Sequence, residues 1–159
     1  MNIKKSNLDL SRLDSAKKLK IDADFIPCPT EKGDELYPNG IFVFNITKMI
    51  KYIQASSNNI DLVDIAVSDF PHRSPYINES YLDSVSLSQP AIIAEISPGH
   101  YNLIDGHHRM EKARRLGMKK ISAYKLNVDH HIAFLIDKNA YLCYIEYWNG
   151  KLKYRDKKK

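Results

Sequence analysis

Residues 101–126 read YNLIDGHHRMEKARRLGMKKISAYKL, and the order of elements in this stretch decides the fold. Residues 101–104 suit a short strand. Asp105-Gly106 breaks it sharply, and residues 107–116 then carry a helical pattern that Gly117 is suited to end. Residues 121–126 (ISAYKL) return to a strand. The unit is therefore strand, tight turn, helix, strand, with the sequence Asp105-Gly106-His107-His108-Arg109 at the point where the helix opens.

Working outward, residues 91–96 (AIIAEI) form a strand entered through Gln89-Pro90, and Ser97-Pro98-Gly99-His100 reads as a hairpin turn into the strand at 101. Residues 60–70 (IDLVDIAVSDF) read as another strand, after which Pro71 and Pro75 force extended or turned backbone. Asn78 or Ser80 starts a short helix running toward Leu87. Residues 41–46 (IFVFNI) read as a buried strand, and Thr47 is expected to cap a helix with Met49, Ile50 and Ile53 on one face, ending near residues 56–59. Residues 24–40 are rich in Pro, Gly and acids and read as a loop. After Asp129 the pattern is helical. Asn149-Gly150 could turn a hairpin, but Tyr141, Ile145 and Trp148 share a helical face, which favours a helix capped at Gly150. The expected fold is α+β, a small mixed sheet packed with helices. It divides into a polar extension (1–20), a loop, strand and helix (21–59), a core (60–126), a helical segment (127–150) and a basic tail (151–159).

The chain has 159 residues, 43% of them hydrophobic, enough to bury a sizeable core. No apolar run approaches the roughly 20 residues that cross a membrane, and residues 1–10 lack the apolar block of a secretory signal. Cys28 and Cys143 are far apart, with no CxxC spacing, and are expected as reduced thiols of a cytoplasmic protein. The net charge of +5 is unevenly spread. Both termini and residues 103–126 are basic, whereas residues 21–100 are acidic. Basic ends read as solvated tails or as contacts to nucleic acid; the basic segment 103–126 coincides with the motif.

At the motif, Asp105 is a suitable helix N-cap. Gly106 permits a tight turn and close approach of a ligand to the backbone. The first-turn N–H groups, with the helix dipole, favour an anion. His108 and Arg109 add donors, and a guanidinium can grip phosphate in a bidentate way. Cationic side chains at the positive end of a helix are unfavourable without a counter-anion, and this is the main reason to expect a ligand. Met110, Ala113 and Leu116 are expected to form the buried stripe, Glu111 and Arg115 an i,i+4 pair, and Lys112, Arg114 and Arg115 a face toward solvent or a polyanion. Structural roles compete residue by residue: His107 packing under the sheet, Arg109 pairing with Asp105. Adjacent histidines, as at 107–108 and 130–131, point about 100° apart on a helix and do not chelate one zinc ion well, and no zinc-ligand spacing occurs. A Mg2+ ion arriving with a nucleotide would need only one or two carboxylates.

From residue 60 to residue 126 the chain resembles the ParB N-terminal domain/sulfiredoxin superfamily. The resemblance rests on DLVDIAVSDF, PHRSP, the QP entry into AIIAEI, and above all YNLIDGHHRMEKARRLGMKKISAYKL with its A-x-x-L-G helix end. It implies binding of nucleotide phosphates at the loop. Sulfiredoxins carry a catalytic Cys where this chain has His107, and ParB proteins carry Gly-Glu-Arg-Arg, so neither chemistry transfers directly. The free serine kinases of the superfamily carry the same Asp-Gly-His-His-Arg. That likeness implies Asp105 and His107 as catalytic candidates, with Gly106, His107, His108 and Arg109 binding phosphate of ATP, ADP or CTP, with or without Mg2+. It also points to Arg73, in the turn after the first core strand, as a second phosphate contact. Asp69 and Glu79 are nearby acids able to act as base or metal ligand; Tyr101 and Tyr124 read as sheet residues. Two function classes follow: a nucleotide-dependent phosphotransferase or hydrolase, and a ParB-type DNA-binding module or nuclease-like protein. A degenerate relative in which the loop is only a turn is the third reading. DNA and a second copy of the chain are further partners the sequence leaves open.

Overall fold

The computed structural model describes residues 7–70 and 77–157. Its centre is a four-stranded sheet of β3 (Asp61–Ala66), β4 (Ala91–Ser97), β5 (His100–Asp105) and β6 (Lys120–Leu126), in the order β3-β6-β4-β5. β4 and β5 are an antiparallel hairpin, while β6 runs parallel to β4 and antiparallel to β3. A parallel neighbour requires a crossover, and α4 (His107–Arg115) supplies it. The fold is α+β, as the sequence indicates.

β4 explains why the sheet has two buried faces. Ala91 and Ile93 point into one apolar cluster with Met110, Ala113, Ile121 and Leu103. Ile92, Ala94 and Ile96 point into another with Phe44, Met49, Leu126, Tyr144 and Trp148. A strand covered on both faces reads as an unbroken apolar run rather than an alternation, which is why AIIAEI is legible. α4 covers the first face. The second is covered by segments from outside residues 60–126: α2 (Ile46–Ala55), α5 (Val128–His131) and α6 (Lys138–Lys157). The N-terminal extension is also woven in. Its short helix α1 (Leu10–Ser15) leads to Ala16 in the core, and Trp148 Nε1 donates to the Lys17 carbonyl at 2.9 Å.

Several local expectations are corrected. Residues 24–40 are not all loop: β1 (Leu36–Asn39) pairs antiparallel with β2 (Phe42–Asn45) in a hairpin turning at Gly40, whose φ is +63°. Pro38 obscured this strand, yet proline is tolerated where a strand lies at a sheet edge. The cap of α2 is Asn45, whose side chain accepts from Lys48 N–H at 3.0 Å, and not Thr47. Leu116 is exposed, not part of the buried stripe, because α4 ends at Arg115 and the chain turns away through Gly117 at φ +72°. α6 does not stop at Gly150; it continues to Lys157, with Leu152 buried beyond the glycine. The residues expected as a basic tail are thus mostly helix. Both thiols are unbridged. Among the described residues no helix is long and apolar enough to cross a membrane.

Candidate functional site

The last residue of β5, Asp105, is held in register opposite Ile92 of β4. The chain then reverses into α4 through Gly106 at φ +96°, a conformation that side chains resist. A Cβ at this position would lie 2.8 Å from the Ala91 Cβ and 3.4 Å from Arg109 Nε. Glycine is needed here for close packing as well as for the turn. Gly106 itself is the N-cap, and no side chain caps the helix. This corrects the capping role expected of Asp105.

Asp105 turns instead to Arg109. Arg109 Nη2 donates to Asp105 Oδ2 at 3.1 Å, and Nη1 reaches the Pro90 carbonyl at 3.5 Å. The two side chains are only 14% and 15% exposed. Arg109 Nε is buried and has no hydrogen-bond partner among the described residues. The guanidinium is thus fixed against the loop with one firm bond, one long one and an unused donor.

His107 and His108 diverge, as neighbours on a helix must. The His107 ring stacks on Tyr37 of β1, with centroids 5.2 Å apart. His108 Nε2 accepts from the Asn78 N–H at 3.1 Å, and its ring meets Tyr81 edge-on. An accepting Nε2 places the neutral ring's proton on Nδ1, which leaves that atom as its donor.

The structure adds a carboxylate that the sequence reading passed over. Glu35 is placed just before β1, with its N–H donating to Thr47 Oγ1 and its carbonyl accepting from Ile46 N–H, both at 2.8 Å. Partial burial raises the pKa of its carboxyl, and the nearby Asp105 carboxylate raises it further, while Arg109 and His108 pull it the other way. Glu35 therefore shares the electrostatic environment of all three. The signal that could have found it is Gly40, which suits the first position of the two-residue hairpin turn Gly40-Ile41: once residues 36–39 are a strand, Glu35 stands at its mouth.

His107 also lines a cavity of about 110 Å³, together with Tyr37, Asn39, Asp69, Asn102 and Arg114 among others. Asp69 is thus brought near the loop. Glu79 is engaged elsewhere, where Arg115 Nη2 donates to its Oε1 at 2.8 Å. Arg73 lies outside the described residues. The cations of α4 expected to face a polyanion are occupied within the protein. Lys112 donates to the Val85 and Asp83 carbonyls, Arg114 bonds Glu111 and the Phe70 carbonyl, and Arg115 bonds Glu79 and Glu111. Among the described residues no group of three His, Cys, Asp or Glu is arranged to hold a metal ion.

Comparisons with protein-family models, with curated proteins and with solved structures found no match.

Proposed function

We propose that this chain binds a nucleoside di- or triphosphate at the loop 105–109 and transfers or hydrolyses its terminal phosphoryl group, as a member of the ParB/sulfiredoxin superfamily. The observation that carries the reading is Arg109. Its Nη groups make one firm bond and one long one and keep N–H capacity for a further acceptor, and it lies at the start of a helix, where N–H groups and dipole favour an anion. Gly106 keeps the backbone bare at the same point.

In this reading Arg109 and the first-turn amides hold phosphate oxygens, with His107 and the Nδ1–H of His108 as additional donors. Catalysis of phosphoryl transfer is mainly positioning and charge neutralisation. Asp105 orients Arg109. Glu35 then acts as the base: its carboxylate accepts the proton of the acceptor hydroxyl, or of water, as that oxygen bonds to phosphorus. The bond from phosphorus to the departing oxygen breaks, and that oxygen leaves with the nucleotide product. Glu35 feels the Asp105 carboxylate as a like charge; Asp105 would hold a Mg2+ ion arriving with the nucleotide, which would neutralise phosphate charge when bound.

The test is turnover of ATP, ADP, CTP and GTP with Mg2+, followed by phosphorus NMR. One nucleotide should be consumed, and Glu35→Gln should slow its consumption about 100-fold or more, the usual worth of a positioned base. The wild-type rate should rise with pH through a value above the ordinary glutamate range, because Glu35 must lose its proton to act. No turnover of any nucleotide by wild type, or an unimpaired Glu35→Gln, would contradict the proposal. The DNA-binding reading gains no support from α4, whose cations are bound to protein acceptors.

A further inference from the structure

The outer face of α6 has a spacing that its inner face does not need. Tyr141, Tyr144, Ile145, Trp148 and Leu152 are buried against the sheet and α2. On the opposite side, Cys143, Tyr147, Gly150 and Tyr154 follow one another at intervals of four, three and four residues and are all exposed. At 100° per residue these four positions fall within an arc of about 60°. Together with Glu146 and Lys151 they line a shallow groove along the helix. Intervals of four and three are those of a seam packed against a second helix.

Gly150 is the odd member of the seam. It sits in the interior of a 20-residue helix, where glycine weakens helical stability. Its backbone is not left-handed, and a Cβ placed there would meet nothing within 4 Å. Nothing within the protomer therefore requires glycine at this position. What its bare Cα does is leave a notch between Tyr147 and Tyr154.

The seam is self-complementary under a two-fold axis. With the axis midway between residues 148 and 149, antiparallel pairing of two copies of α6 sets Tyr147 against Gly150 and Tyr154 against Cys143. The axis then repeats both pairs. Each large ring faces a small residue, which is how knobs fill holes, and each contact occurs twice, as in an isologous interface. On one flank Glu146 approaches Lys153 of the other copy, both exposed on their own protomer, so the charges are complementary as well. In a parallel arrangement each seam residue would meet its own copy, Gly150 against Gly150 and Tyr147 against Tyr147, and the fit of ring to notch would be lost.

We propose that this face docks a second copy of the chain, forming a two-fold dimer through antiparallel α6 helices centred between residues 148 and 149. The surface faces away from the loop-bearing side of the sheet, so the proposal does not depend on the function assigned to that loop.

The test uses the full chain in analytical ultracentrifugation over a range of concentrations, with two variants. Wild type should sediment as a concentration-dependent dimer. Gly150→Arg should be monomeric with an unchanged circular dichroism spectrum, because the added side chain has room in the protomer and none in the notch. Tyr154→Cys should form a disulfide-linked dimer with Cys143 of the other copy under mild oxidation, and adding Gly150→Arg should abolish that link. Within one chain the two positions are 11 residues apart on the helix, about 16 Å, beyond the reach of a disulfide. A wild-type chain that stays monomeric to millimolar concentration, a dimer that survives Gly150→Arg, or a Tyr154→Cys chain that does not cross-link would each overturn the proposal.

Discussion

The β4–β5 hairpin carries an ion pair at each end, and the two are built differently. At the turn end, Glu95 is fully buried and saturated. Its Oε1 accepts from Arg12 Nη2 at 2.7 Å and Val128 N–H at 3.2 Å, and its Oε2 from Arg12 Nε at 3.3 Å and Gly99 N–H at 3.0 Å. At the open end, Asp105 and Arg109 share one bond of 3.1 Å, and Arg109 Nε has no partner among the described residues. The first pair has nothing left to offer a ligand. It ties the N-terminal extension, the hairpin turn and α5 into one unit. The second is less fully bonded, with Arg109 Nε buried beside Gly106. Burial of charge is therefore no mark of function.

The comparison breaks first if the closed pair proves dispensable. Arg12→Ala would leave the Glu95 carboxylate buried without its cation, and should cost about 3–5 kcal/mol of stability in urea unfolding. A loss below about 1 kcal/mol would remove the distinction. The same end contains His131, fully buried, with Nε2 2.6 Å from the Glu95 carbonyl and Nδ1 without a partner among the described residues. Its ring is edge-on to Phe44 and Tyr144. Burial lowers its pKa from 6.5 to about 4. The unfolded chain thus binds a proton between those values that the folded chain refuses. This contribution to stability is fully present above pH 6.5 and is lost as pH falls toward 4, a change of roughly 3 kcal/mol. His131→Gln should flatten that acid limb of the stability curve. A variant with the same pH dependence as wild type would show that other groups cause it.

At the open end, Gly106→Ala should cost about 1–2 kcal/mol from the left-handed backbone alone, and more from the contact with Ala91. Adding Ala91→Gly should recover the contact part and leave the backbone part. Complete recovery would mean that crowding, and not φ, makes glycine necessary.

The elements nearest the motif were the most legible in the sequence. The unbroken run of β4, the turn at Gly99 and the helix end at Gly117 each follow from local rules, and the structure has all three. Legibility failed where a side chain's partner is distant in sequence. Asp105 looked like a cap because Asp before a helix usually is one, but Arg109 one turn later competes for it. The cations of α4 looked solvent-facing because their acceptors, at Val85, Phe70 and Glu79, lie on segments whose position the sequence does not reveal. Glu35 was missed because Pro38 hid the hairpin that delivers it. Gly150 read as a stop although Leu152 beyond it packs in the core, and tertiary burial outweighs local propensity.

The central claim is that the loop 105–109 binds nucleotide phosphate through Arg109. The direct measurement is the melting temperature of wild type and Arg109→Ala against ATP, ADP, CTP and GTP, each with and without Mg2+. Arg109→Ala without ligand should melt below wild type, because it leaves the largely buried Asp105 carboxylate without its cation, so the shift of each protein is read from its own unliganded melting temperature. A nucleotide at 100 times its dissociation constant should stabilise wild type by about 2.7 kcal/mol and leave the variant unmoved. No shift with any nucleotide, or an equal shift in both proteins, would contradict the account.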